Sequence, residues 1–402
     1  MSVFLTGGSG FLGSYVLHRL LTEHRERVAV LTRAACQSEA VQKLWSALQL
    51  HLDAEEFFSL LPKIHFIYGD ITRPDLGISQ KQQKWILDEV DSILHAAASL
   101  NRKSERACMQ TNLVGTLSTL ELARALEARD QLRRYSFVST SAVCGHRKGG
   151  ETLSEDEVLN LEHSDYDPYA RTKKFCEHMV QTLLPSASVA IFRPSTVMGD
   201  SRFAATSQFD MVRAFCLLAD LPFVPIRPSA RQDIVNANWV GRSIETLHMR
   251  AELPYRTFNL SAGPSACTAR EIVGALAPAI GKGPRFVPKA KAPLESLLQL
   301  VSQSSIRNHA THVASLMKVF LPYFTFDTVL DNERTTTLLE TEPTAFTDYC
   351  LDLYRYAKRH NFSYPYRPLP QKPSAKSSEN VTSMHADMRI RKNGIKSVEF
   401  AR

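Results

Sequence analysis

Tyr169 and Lys173 stand four apart in the run Asp167-Pro168-Tyr169-Ala170-Arg171-Thr172-Lys173. Proline suits the first turn of a helix, and a spacing of four puts both side chains on one helical face. A phenol whose ordinary pKa is about 10 exchanges its proton poorly near neutrality. A neighbouring ammonium favours the phenolate and brings that value down. The pair reads as a proton donor with its tuning charge. A hydroxyl partner is expected at the end of an earlier strand, where Phe137-Val138-Ser139-Thr140-Ser141 supplies three. Strict strand alternation would put Ser139 and Ser141 on one face and Thr140 on the other. The residues alone leave that choice open.

A second chemistry lies in Thr6-Gly7-Gly8-Ser9-Gly10-Phe11-Leu12-Gly13, between an apolar strand and a helical pattern. Gly7 permits a tight turn, Gly10 lets the backbone approach a pyrophosphate resting on the helix N-terminus, and Gly13 permits close helix–sheet packing. The next apolar strand ends at Thr32-Arg33. A carboxylate there binds ribose hydroxyls, whereas a guanidinium binds a 2′-phosphate through parallel hydrogen bonds. Arg33 therefore points to NADPH.

Short apolar strands near 2–6, 28–32, 65–68, 92–95, 135–139 and 189–192 alternate with helical patterns at 11–23, 109–128 and 169–184. That rhythm predicts an α/β fold with a doubly wound parallel sheet of the Rossmann type. Residues 1–262 are expected to form the NADP(H)-binding domain, with a substrate-side insertion at about 200–230 marked by Pro222, Pro225 and Pro228. Residues 263–366 are expected to form a smaller C-terminal substrate-binding domain. Phe203, Phe209 and Phe215, spaced six apart, read as core.

Of the 402 residues, 22% are charged and 44% hydrophobic, which suits a globular enzyme rather than a disordered chain. The net charge is +7. Part of it lies in a basic tail, 367–402, with little apolar periodicity, read as disordered. Seven scattered cysteines without a CxxC pair predict free thiols in a reducing compartment. No metal site is expected, because His146, His163 and His178 lack ligand spacing. No charged-then-apolar leader and no membrane-length apolar run is present, so the expected location is cytoplasmic. No nucleic-acid module is recognisable.

These motifs, in this order, resemble the extended short-chain dehydrogenase/reductase superfamily over residues 1–260. The resemblance rests on the glycine loop, His95-Ala96-Ala97-Ala98, Asn112, Ser139-Thr140, and Tyr169 with Lys173. It implies Thr140 as the catalytic hydroxyl, five residues before Gly145, and Asp70-Ile71 beside the adenine. It also implies Ala96, Ala97, Ala98 and Asn112 in the cofactor site, and puts Ser141 and Ala142 on the substrate side.

A narrower resemblance to thioester reductases and fatty acyl-CoA reductases rests on four stretches: Leu31-Thr32-Arg33-Ala34, Asn112-Leu113-Val114-Gly115-Thr116, the run from Arg193 to Ser201, and Phe324-Thr325-Phe326-Asp327. It implies that Pro194, Ser195 and Thr196 touch the cofactor. Where such reductases commonly carry an aspartate in the returning segment, this chain has Asn236-Ala237-Asn238-Trp239. The expectation is an NADPH-dependent reductase of an acyl thioester, giving aldehyde or alcohol. With the first strand at residue 2, it would meet an acidic carrier protein or coenzyme A ester in trans. The alternatives are a ketone or aldehyde reductase using the same residues, and a non-catalytic nucleotide-sensing or scaffold protein. Oligomeric state is not legible.

Overall fold

The computed structural model describes residues 2–147, 149–156, 159–304, 306 and 308–371. Seven strands build the central sheet: Ser2–Thr6 (β1), Arg27–Thr32 (β2), Ile64–Tyr68 (β3), Ser92–His95 (β4), Arg134–Val138 (β5), Val189–Pro194 (β6) and Thr257–Leu260 (β7). Their order is β7-β6-β5-β4-β1-β2-β3, and each neighbouring pair is parallel. After β3 the chain returns to the far side of β1. Winding therefore reverses between β1 and β4, and a crevice opens beyond their C-terminal ends, where sheets of this kind bind ligands.

The helices used below are Phe11–Glu23 (α1), Gln37–Leu48 (α2), Gly115–Glu127 (α3), Pro168–Leu183 (α4), Asp210–Asp220 (α5), Ala237–Met249 (α6), Ala269–Ile280 (α7), Lys291–Ser302 (α8), His309–Phe324 (α9) and Cys350–Arg359 (α10). The strands read as continuous apolar runs because both faces of the sheet are covered. Val3 and Leu5 of β1 enter one core with α1, α2 and α6, while Phe4 between them enters the other with α3 and α4. A third core, carrying Phe215, Leu276, Met317, Phe320, Phe324 and Leu353, joins α5, α7, α9 and α10. Phe215 is buried there, Phe209 packs against it, and Phe203 lies instead under the Arg202 guanidinium.

Two segments depart from the sequence reading. The helix expected over 109–128 is broken. Its first part, Met109–Val114, is a π-helical turn, and regular α-helix resumes at Gly115. Such turns cluster at functional sites, and this one carries the buried Asn112. The segment expected to be disordered from 367 begins with an anchor. Arg367 N–H donates to Gln49 Oε1 (2.7 Å), and Trp45 Nε1 donates to the carbonyls of Arg367 and Pro368. Residues 372–402 lie outside the described residues.

Of the seven cysteines, Cys36 is exposed and the other six are buried. Among the described residues no helix is long and apolar enough to cross a membrane, and no group of side chains is arranged to hold a metal.

Candidate active site

The glycine loop follows β1 and turns into α1 without a side-chain cap at Gly10, so the first N–H groups of the helix face the crevice unused. Gly7 has φ +78°, and a Cβ there would stand 2.6 Å from Ala97 N. A Cβ on Gly13 would stand 1.9 Å from Gly7 O. Both positions exclude every other residue type, and the cradle they shape fits a pyrophosphate on the helix N-terminus.

Behind the loop runs a buried polar chain. Ala97 N–H donates to Thr6 Oγ1, which pairs with His95 Nδ1 at 2.7 Å, and His95 Nε2 pairs with Thr116 Oγ1 at 3.0 Å. Burial, with some help from Lys173, pushes His95 down to about 3, so the ring is neutral. The Thr6 hydroxyl thereby ties β1 to β4 from behind the glycine loop. Asn112 has the same kind of task. Its Oδ1 accepts from Ser99 N (2.7 Å), and its Nδ2 donates to Thr172 Oγ1 (3.0 Å), bracing α4 against the loop after β4.

The cleft measures about 820 Å³. Gly7, Gly10, Phe11, Leu12, Gly13, Arg33, Ile71, Ala96, Ala97 and Ala98 line the half beside the glycine loop, and Thr140, Ser141, Tyr169, Lys173, Pro194, Ser195 and Thr196 the other half. Asp70 stays beside the lining. Burial alone would raise its carboxyl, but hydrogen bonds from Thr72, then Arg33 and Arg73, hold it below the ordinary value. The exposed end of β2 carries a second cation, for Lys43 of α2 donates to Arg33 O and lines the same end. Sequence reading passed over Lys43 because its place depends on how α2 folds back.

At the other end Asp167 caps α4, accepting from Ala170 N at 2.8 Å, and Pro168 opens the helix. Tyr169 and Lys173 are both buried and face the cleft. Of the three hydroxyls at the end of β5, Ser139 donates to the buried Glu177, and Thr140 lines the cleft with Tyr169, where it favours the phenolate. Ser141 lines the cleft and, with Ala142, a small adjoining cavity walled by Tyr166, Tyr323, Phe326 and Asp233. Burial pushes Asp233 up to about 6, against the hydrogen bond it accepts from Ala262 N and the influence of the neighbouring Ser195.

The electrostatics differ from the expectation. Lys173 donates to Val138 O at 2.6 Å and stands 4.5 Å over the Phe137 ring; burial pushes it down to about 8. Burial also raises the Tyr169 phenol, and the strongest opposing influence is Arg102, followed by Thr140. Arg102, in the loop after β4, had no motif to announce it. Its guanidinium lies 4.9 Å from the Tyr169 ring, 4.9 Å from Tyr323 and 5.1 Å from Phe320.

The NAD-binding family described as male sterility protein matches residues 5–244. The chain belongs to that family. A putative fatty acyl-CoA reductase of Drosophila melanogaster is 27% identical over 229 residues, covering 49% of this chain and 41% of the relative. A nonribosomal peptide synthetase-like enzyme of Aspergillus fumigatus is 29% identical over 225 residues, 52% of this chain and 14% of the relative. The chain thus spans less than half the length of either. Among solved structures, the terminal R domain of the myxalamid biosynthetic pathway superposes with TM-score 0.74 at 25% identity, covering 90% of this chain and 91% of that one. These likenesses put the chain among the nicotinamide-dependent oxidoreductases of the extended short-chain type, on the thioester-reductase branch.

Proposed function

We propose that the protein reduces an acyl thioester, bound to a carrier protein or to coenzyme A, with NADPH as the electron source. The observation that carries this reading is that Thr140, Tyr169 and Lys173 line one end of a cleft whose other end is the glycine cradle, in a chain of the thioester-reductase branch.

Gly7, Gly10 and Gly13 would hold the pyrophosphate, Arg33 with Lys43 a 2′-phosphate, and Ser195, Thr196 and Lys173 the nicotinamide end. When bound, the cofactor supplies hydride for the carbonyl carbon. Tyr169 donates its proton, or a hydrogen bond, to the developing oxyanion, and Thr140 is the second donor. Lys173, charged or near its titration at about 8, orients this end of the site. Loss of the thiol from the hemithioacetal then leaves an aldehyde, and a second round gives the alcohol. Ser141 and Ala142 face the acyl group from the smaller cavity. The division near residue 262 belongs to the same reading, with the third core as the scaffold of the substrate side.

The test follows NADPH absorbance with acyl-CoA and acyl-carrier thioesters beside matching aldehydes and ketones, with thiol release and product mass recorded. Thioester-dependent oxidation with stoichiometric thiol supports the reading; turnover of aldehydes or ketones alone replaces it by carbonyl reduction. Tyr169→Phe is expected to lower kcat by about 10²–10⁴-fold. Full turnover in that variant removes the phenol from the mechanism.

A further inference from the structure

The loop after β4 places a buried cation against the phenol. Arg102 donates to Tyr323 Oη at 3.3 Å and pairs with Asp167 at 3.3 Å, and Tyr323 Oη in turn donates to Asp167 at 2.8 Å. Asp167 is also the N-cap of α4, so the carboxylate that fixes the start of the Tyr169 helix is shared with Arg102 and Tyr323. Three rings enclose the guanidinium: Tyr169 from α4, and Phe320 and Tyr323 from α9. Cation–ring contacts of this kind strengthen when water is excluded, and here only 13% of the Arg102 side chain is exposed.

We propose that Arg102 is a positioning residue for Tyr169, clamping the substrate-side helix α9 onto the capped start of α4 and presenting a fixed positive charge to the phenol. The inference rests on the reading of Tyr169 as proton donor. The groups facing the phenol are Arg102 from the β4 loop, Cys108 before the π-helical turn, Thr140 at the end of β5, Asp167 and Lys173 on its own helix, and Tyr323 on α9. Of those acting on its titration, Arg102 and Thr140 favour the phenolate, while Asp167 and Cys108 oppose it. Lysine at 102 keeps the charge but loses the planar fork that reaches Asp167 and Tyr323 together.

The sign follows. Arg102 favours the phenolate, so its removal raises the phenol pKa. In the reductive direction the protonated phenol is the active form, and the basic limb of the kcat profile moves upward. A weaker acid also lowers the plateau. Arg102→Gln is expected to move that limb up by about one pH unit and to lower kcat about tenfold at neutral pH, with KM for NADPH changed less than about twofold. Arg102→Lys is expected to return the limb to its wild-type position. Tyr323→Phe keeps the ring, removes both hydrogen bonds, and is expected to lower kcat about threefold.

A folded Arg102→Gln enzyme with an unmoved limb overturns the proposal. So do equal limb shifts in the Gln and Lys variants, or a Tyr323→Phe enzyme with wild-type kcat; this last variant decides the matter if Arg102→Gln does not fold. Tyr169→Phe run in parallel separates the two readings. An inactive Tyr169→Phe with an unmoved Arg102→Gln limb sinks the clamp alone, whereas an active one sinks the proton donor and the clamp with it.

Discussion

The two halves of the cleft are built from different material. The half beside the glycine loop is made of backbone: a glycine turn at +78°, uncapped N–H groups at the start of α1, and a polar chain that locks β1 to β4 from behind. The other half is made of side chains from distant segments. Arg102, Asp167, Tyr166 and Tyr323 meet there from the β4 loop, the approach to α4, and α9. Backbone constraints leave one residue type at a position. A side-chain cluster can exchange its members and keep its shape, and thereby change what it accepts. On the proposed reading, cofactor chemistry is held on a floor of backbone, and substrate choice on a wall of side chains.

Four experiments would break or sharpen that contrast. Gly13→Ala forces a Cβ against Gly7 O and is expected to weaken cofactor binding about 100-fold, in line with an overpacking cost of up to about 3 kcal/mol. Fluorescence titration with NADPH reads it, and binding within twofold of wild type would mean the floor yields. Arg33→Ala should raise KM for NADPH about 10–100-fold and leave KM for NADH unchanged, because charge-assisted hydrogen bonds contribute about 1.5–3 kcal/mol. Equal loss with both cofactors denies Arg33 the 2′-phosphate.

The third concerns acid. His95 is pushed from 6.5 to about 3 by burial, so the folded state refuses a proton that the unfolded chain accepts. Its share of stability is complete above pH 6.5 and is lost as pH falls toward 3, at up to about 1.4 kcal/mol per pH unit. Between pH 6.5 and 5 the wild type should lose about 2 kcal/mol more than His95→Gln in urea unfolding. Parallel losses would mean the polar chain does not hold its proton state. The smallest effect is expected on the wall. Phe326→Ala should raise KM for the acyl substrate about fivefold, roughly 1 kcal/mol of lost apolar contact, with KM for NADPH unchanged. A change in the cofactor constant would show that the halves are not separable.

The same contrast explains what could be read beforehand. The parallel sheet follows from alternating apolar runs and the glycine loop, and the cradle from three glycines whose alternatives clash with backbone. Tyr169 and Lys173 follow from helical spacing, and the glycines, Arg33 and Tyr169 do line one cleft. Thr6 and Asn112 showed position but not direction: both turn inward, because a buried hydroxyl or amide seeks the nearest unpaired partner. Helical spacing points to Lys173 as the tuning charge, whereas Arg102 has the strongest influence toward the phenolate. Arg102 escaped because it lies in a loop without periodicity, and its partners Phe320 and Tyr323 are more than two hundred residues away along the chain. The anchor at Arg367 was hidden by the polar composition around it, since its partners are a tryptophan N–H and a glutamine in and just after α2.

One feature of the fold has practical weight. Cys36, at the start of α2 and three residues beyond Arg33, is the sole exposed thiol among seven cysteines, and a hydrogen bond with Ser38 pulls its pKa down. A single equivalent of maleimide dye should therefore label the native chain at one place, beside the phosphate end of the cleft, without any engineered substitution. The natural sequence carries its own attachment point for an optical reporter of cofactor arrival, one that leaves Tyr169 and its neighbours untouched.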